Sequence, residues 1–238
     1  MKRDAQTLTE SDRSHLLALY DGLRVADVRD GMDWLMRHGI GTVDPAIRPL
    51  FRTRIYGFAR TIRYLPSNQN IQDMTPDEYT RWAYDYWYGT VTNDHLHEQI
   101  LPGDIVMIDA SDTYVGIMGS NVVLAYLAAG ARGVVTNGGC RDTDEVIHEK
   151  FPMWSRYCAQ AMNQGRVEWD ASNIPIAIGG QLVRPEDMVV ADGDGVVIVP
   201  IEIAEDVAKY ARQELENDKI GRRRLYDALG WEPDETVR

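Results

Sequence analysis

The run Asn137-Gly138-Gly139-Cys140-Arg141-Asp142 places two glycines, an arginine and a carboxylate just past an apolar stretch, Gly133 to Thr136. Paired glycines let a backbone turn sharply. An arginine at such a turn can fork onto a carboxylate or an enolate oxygen, and an aspartate can hold a hard divalent cation. The alternative is a local ion pair or turn, and the residues alone leave both open. Mg²⁺ commonly takes one or two protein carboxylates and keeps several waters, so Asp142 alone would suffice. Asp144 and Glu145 read instead as first-turn helix charge, or as support behind the ligand. Gly119-Ser120-Asn121 opens an Ala- and Leu-rich stretch. Ser or Asn there is ordinarily a helix cap. The free N–H groups of the same helix start can also seat a carboxylate or phosphate, and Gly permits close approach.

Other polar groupings carry less. Cys140 has no Cys/His motif around it and reads as packing. His95 and His97 stand two apart, which on a helix separates their faces. Asp192-Gly-Asp-Gly195 lacks the glutamate of a calcium loop near Ile203 and reads as a turn. Five aromatics crowd into Trp82 to Tyr88; they either cap a ligand pocket or pack the segment onto the body or a neighbouring subunit.

Bulk properties narrow the classes. The 238-residue chain is long enough for a proper core. A formal charge of −12 argues against nucleic acid, which needs a basic surface. Arg222-Arg223-Arg224 is a local exception that reads as cations toward a helix C-terminus. The start, Met1 to Thr7, is polar without the apolar stretch of a secretory leader, and no run nears the roughly 20 apolar residues of a membrane span. With two cysteines and no such leader, a soluble cytoplasmic protein with free thiols is expected.

The elements that would position these residues follow from periodicity. Helices are expected from Thr9, with Asp12 three residues on, to about Leu23, and from about Ala26 to His38 with Gly39 as the stop. Arg54 to Tyr64 alternates as a strand with one wet face. Thr75-Pro76-Asp77-Glu78 is a helix start. Ile105 to Ile108, a helix from Asn121 to Ala131 and Gly133 to Thr136 make a βαβ unit with a parallel pair. Met153 to Tyr157 and Ile174 to Ile178 follow as strands. Met188 to Ala191 and Val196 to Val199 form a hairpin around the 192–195 turn. Glu202 to about Leu229 is one long helix.

Together, Pro102-Gly-Asp-Ile-Val-Met-Ile-Asp109, Gly119 with its Ala-rich helix, Gly130 through Asp142, and Asp192-Gly-Asp-Gly-Val-Val-Ile-Val-Pro200 resemble the RraA-like family over roughly residues 24 to 225. Val25 to Met32 looks like that family's early helix, and Asn93 to Glu98 like the helix before its Pro-Gly-Asp turn. The family holds class II 4-hydroxy-4-methyl-2-oxoglutarate / 4-carboxy-4-hydroxy-2-oxoadipate aldolases and the RNase E regulator RraA. The resemblance implies a single α/β domain over 1–238, β/β/α and swivelling-domain-like. Its parts would be a helical start at about 9–40, an aromatic insertion at about 67–92 and a C-terminal helix at about 202–229. It implies a homotrimer or homohexamer with sites between subunits.

By the same likeness, Asp142 would anchor Mg²⁺ or Mn²⁺, Arg141 would bind a 2-oxo acid and steady its enolate, and Gly119, Ser120, Asn121 and Val122 would hold its carboxylate. The aldolases carry an acidic residue, twenty residues, then Arg-Asp. Arg141 and Asp142 match, and the acidic place falls on Ser120. A serine without its own base cannot activate water at neutral pH, which leaves Asp112 as a substitute. Glu214 or Glu216 from a neighbour's C-terminal helix would support the metal's waters. The implied activity is a divalent-metal-dependent lyase that cleaves a 4-hydroxy-2-oxo acid or decarboxylates an oxaloacetate-like acid. The alternative is a non-catalytic, protein-binding ring. A methyltransferase is set aside for want of a glycine-rich nucleotide loop after the first strand.

Overall fold

The apolar stretches at 105–108 and 133–136 become neighbouring parallel strands in a computed structural model that describes residues 8–238. The polar start, Met1 to Thr7, lies outside the described residues. The strands are β1 (Arg48–Pro49), β2 (Ile55–Pro66), β3 (Asp104–Asp109), β4 (Gly116–Met118), β5 (Gly133–Cys140), β6 (Met153–Cys158), β7 (Val167–Ser172), β8 (Ile176–Ile178), β9 (Gln181–Val183), β10 (Met188–Asp192) and β11 (Gly195–Val199). The main sheet runs β1-β6-β5-β3-β2-β10-β11, with β4 beside β5 and β7 beside β2; β8 and β9 form a separate hairpin. Its centre is parallel, with β2–β3, β3–β5, β5–β6 and β4–β5 all aligned, and its flanks are antiparallel.

The helices are α1 (Glu10–Tyr20), α2 (Val25–Trp34), α3 (Pro76–Trp82), α4 (Ser120–Ala128), α5 (Thr143–His148) and α6 (Ala204–Leu229). Side chains of β3 alternate between two cores, as a period of two requires. Val106 and Ile108 pack with Val123 and Tyr126 of α4, while Ile105 and Met107 pack with the β8–β9 hairpin. A third core joins α1, α2 and α6 to Phe58, Met188 and Val190. Among the described residues no helix is long and apolar enough to cross a membrane.

Local chemistry explains where elements begin. Thr9 with Asp12, and Thr75 with Glu78, form reciprocal capping boxes, and Pro76 occupies the first turn of α3. Three expectations are corrected. Helix α2 stops at Trp34, ahead of Gly39: Met36 takes the left-handed conformation, Arg37 N donates to Met32 O and Met36 N to Asp33 O. Those two bonds are a Schellman stop made without glycine. Strand β2 has no wet face along most of its length, because Phe58, Ala59 and Ile62 each enter a different core. Residues 93–98 give only a 3₁₀ turn, Leu96–Glu98.

After α3 the chain widens into a π-helix, Ala83–Val91, closed by Thr92 N donating to Trp87 O at 2.9 Å. Such i→i+5 bonding is rare and concentrates at functional places. The arginines 222–224 lie within α6 rather than at its end; Arg223 pairs with Asp227 at 3.0 Å.

Candidate active site

Strands β4 and β5 run parallel with Met118 opposite Cys140, so the residues that follow leave the sheet side by side. Arg141 N donates to Met118 O at 3.0 Å, tying the two exits together. In α/β sheets this carboxyl end is where ligands bind. Helix α4 starts at Ser120 and α5 at Thr143, with Asp142 between β5 and α5 at φ +54°. Aspartate tolerates that left-handed conformation better than most residues. The turn sends its carboxylate back toward α4. Oδ2 accepts from Ser120 N at 3.1 Å and from Ser120 Oγ at 3.4 Å, while Oδ1 accepts from Arg141 Nε at 3.3 Å.

Two glycines make this approach possible. A Cβ on Gly119 would collide with the Asp142 carboxylate, and one on Gly116 would lie 2.9 Å from Arg141 Cδ. The first N–H groups of a helix have no intrahelical partner. Asp142 takes that of Ser120, which leaves those of Asn121 and Val122 for a ligand.

These groups surround an open cavity of about 300 Å³. Gly119, Asn121, Val122, Arg141 and Asp142 give it a polar side, and Tyr84, Tyr88, Ile117 and Met162 a largely apolar one that Asn163 adjoins. Arg141 and Asp142 are each 35% exposed, half-buried yet reachable. Burial raises the Tyr88 phenol above its usual range, while the positive charge of Arg141 acts against that rise.

The structure therefore gathers Gly119, Ser120, Asn121, Val122, Arg141 and Asp142 at one rim. Asp112 does not line this cavity; it pairs with Arg156 Nε at 3.1 Å, and Arg156 also holds Asp44 at 2.5 Å. Glu214 and Glu216 lie away from it on α6, Glu214 accepting from Trp34 Nε1 at 3.0 Å and Glu216 facing Lys219 at 3.8 Å. Asp144 and Glu145 form the first turn of α5. Cys140 is buried against Ser155 Oγ at 3.2 Å, and burial pushes its thiol up to about 11. Tyr84 and Tyr88 line the cavity, one of the two roles left open for the aromatic run, whereas Met162 was not expected there. The aromatic crowding signalled the first two, and nothing local signals Met162.

The donor set can be tested against a metal. Among the described residues no three His, Cys, Asp or Glu side chains converge. One carboxylate beside a hydroxyl and an open cavity does not make a zinc centre, but fits an ion such as Mg²⁺ that keeps most of its waters.

The sequence profile of the RraA-like family (Aldolase/RraA) matches residues 25–198. It stops short of α6. A Halalkalibacterium halodurans protein named "Putative 4-hydroxy-4-methyl-2-oxoglutarate aldolase" is 32% identical over 127 residues, 53% of this chain and 60% of that protein. The chain thus spans less than two thirds of that relative's length. Among solved structures, an uncharacterised Pseudomonas syringae pv. tomato protein superposes with a TM-score of 0.70 at 25% identity, covering 94% of this chain and 98% of that one. Streptomyces coelicolor RraAS2, described as an unusual member of the RNase ES inhibitor RraA family, gives a TM-score of 0.73 at 23% identity, covering 88% and 98%. The latter speaks for the fold alone.

Proposed function

The chain belongs to the RraA-like family, and from that premise we propose that it is a lyase breaking the C3–C4 bond of a 2-oxo acid. The fragment left behind is a pyruvate-type enolate, whether the bond is cleaved by retro-aldol reaction or by decarboxylation of an oxaloacetate-type acid. The observation that carries this reading is the register of β4 and β5, which sets Arg141 and Asp142 against the N-terminus of α4. Developing enolate charge needs fixed positive groups in a partly dry site. Arg141 supplies one, and can fork onto the 2-oxo acid head. The N–H groups of Asn121 and Val122 can seat the substrate carboxylate.

Asp142 would hold a Mg²⁺- or Mn²⁺-type ion, which when bound supplies Lewis acidity to the keto oxygen. Ser120 donates to Asp142, so it orients that carboxylate and accepts no proton. The hydroxyl proton of an aldol substrate therefore leaves to solvent in the open cavity. A trimer or dimer of trimers is part of the proposal, supported by exposed Val122, Leu124 and Leu127 on α4 beside the site. A monomeric mass by light scattering would remove that part.

The test is pyruvate release from a panel of 4-hydroxy-2-oxo acids and oxaloacetate, with and without chelator. Asp142→Asn keeps the left-handed turn, since Asn also tolerates it, and should lower turnover by about 10²-fold or more. No chelator-sensitive turnover of any panel member ends the reading. The presence of Ser120 where the aldolases carry an acid favours a second reading, a protein-binding ring without catalysis. Measurable turnover that depends on Asp142 excludes it.

A further inference from the structure

The aromatic segment divides its side chains between two tasks. Trp87 is fully buried and lies 5.3 Å from Trp82 of α3 between ring centroids, packing the π-helix against the helix that precedes it. Tyr84 and Tyr88, four residues apart, have ring centroids 5.8 Å apart and line the cavity that holds Arg141 and Asp142. Met162, beyond β6, lies against them with its Sδ 3.8 Å from Tyr88 Oη. Tyr84 is 67% exposed and Met162 43% exposed. Apolar surface left wet at a cavity mouth gains free energy when a ligand covers it. Two rings and a thioether are suited to another ring, by offset or edge contact and by sulfur–aromatic contact.

Charge points the same way. Among the described residues lining the cavity, Arg141 is the one cation, and the proposed function assigns it to the 2-oxo acid head. A second carboxylate at the far end of the substrate would find no second cation there, only phenol rings, a thioether and the Asn163 amide, which suit a ring better than a charge.

From this we infer that the far end of the substrate is aromatic: a 4-aryl-4-hydroxy-2-oxo acid, split into pyruvate and an aromatic aldehyde. The cleavage rests on the lyase reading above, whereas the binding preference rests only on that reading's placement of the 2-oxo acid head at Arg141. In the cleavage the C3–C4 bond breaks and its electron pair stays on C3 as the enolate. The hydroxyl proton passes to solvent as the O–H pair becomes the aldehyde C=O bond. The enolate then takes a proton from solvent on C3, which becomes the methyl group of pyruvate.

Calorimetry with Mg²⁺ present compares two acids that cannot be cleaved, 2-oxo-4-phenylbutanoate and 2-oxoglutarate. The phenyl compound should bind about tenfold tighter or more, from ring burial and aromatic contact. Tyr84→Ala with Tyr88→Ala should shrink that preference to about twofold, while the Phe pair should keep it, because the ring and not the hydroxyl makes the contact. If the alanine pair fails to fold, Tyr84→Ala alone serves, since its ring is largely exposed. Equal or tighter binding of 2-oxoglutarate overturns the inference, as does a preference that survives loss of both rings. Should the phenyl preference hold while 4-hydroxy-2-oxo-4-phenylbutanoate and the wider panel release no pyruvate, the aromatic subsite stands and the lyase reading falls.

Discussion

Arg13 and Arg60 close on Asp104 and Glu186 beneath α1, while at the carboxyl ends of β4 and β5 a single Arg141 lies on Asp142. The residue types are the same and the surroundings are not. Asp104 is fully buried, held by Arg13 at 2.5 Å, Arg60 at 2.8 Å and Leu101 N at 2.8 Å. Arg60 also donates to Asn173 at 3.0 Å, and Arg13 sits 4.1 Å over the Phe58 ring. Two guanidiniums balance two carboxylates, and this sealed set joins α1, β2, β3 and the turn before β10. Arg141 and Asp142 make one looser contact at 3.3 Å beside open space. Saturation makes the first cluster a fastener. Incompleteness gives the second its capacity for a ligand.

The largest effect should come from unbalancing the sealed set. Asp104→Asn keeps the shape but leaves two buried guanidiniums with one carboxylate, and breaking a buried pair this way costs about 3–5 kcal/mol. Urea unfolding should show that loss. Asp142→Asn should lower the unfolding free energy by less than about 1 kcal/mol while it lowers turnover by about 10²-fold or more, since its contacts are few and half-exposed. Similar destabilisation by both substitutions would mean that burial does not separate the two clusters.

A third carboxylate sharpens the contrast. Asp187 is buried at the turn before β10, where it accepts from Arg184 N at 2.8 Å and Ile201 N at 3.2 Å. Burial outweighs those bonds and lifts its pKa from 3.8 to about 6. Between those values the folded chain keeps a proton that the unfolded chain has released. The contribution of Asp187 is therefore most favourable below about pH 4 and is lost as pH rises through about 6, by about 3 kcal/mol at most. Asp187→Asn should flatten the pH dependence of stability across that window. An unchanged profile would place the titration elsewhere.

How much of this was legible in the sequence depends on the range of the interaction. Capping boxes at Thr9 and Thr75, the βαβ unit and the 192–195 hairpin turn are local, and residues a few places apart specify them. Arg141-Asp142 could be found because a strand end followed by glycines is also local. Non-local closure was not legible. The covered faces of β2 depend on residues from three distant segments, and the Asp104 cluster joins positions 13, 60, 104 and 186. Strand β4, three residues long, exists because it pairs with β5. That pairing turned a capping serine and an ion pair into one site.

The smallest predicted effect on turnover tests that pairing most directly. Gly119 has φ −143° and ψ −172°, an extended conformation open to any residue, so Gly119→Ala adds a methyl group without backbone strain. That methyl collides with the Asp142 carboxylate, which is half-exposed and can swing aside. Stability should fall by only about 1 kcal/mol. Displacing the carboxylate from Ser120 N should still lower turnover by about tenfold, because a small misplacement at a reacting centre is enough. Unchanged turnover in Gly119→Ala would show that contact between Asp142 and the start of α4 is packing, and that Arg141 and Asp142 act without it.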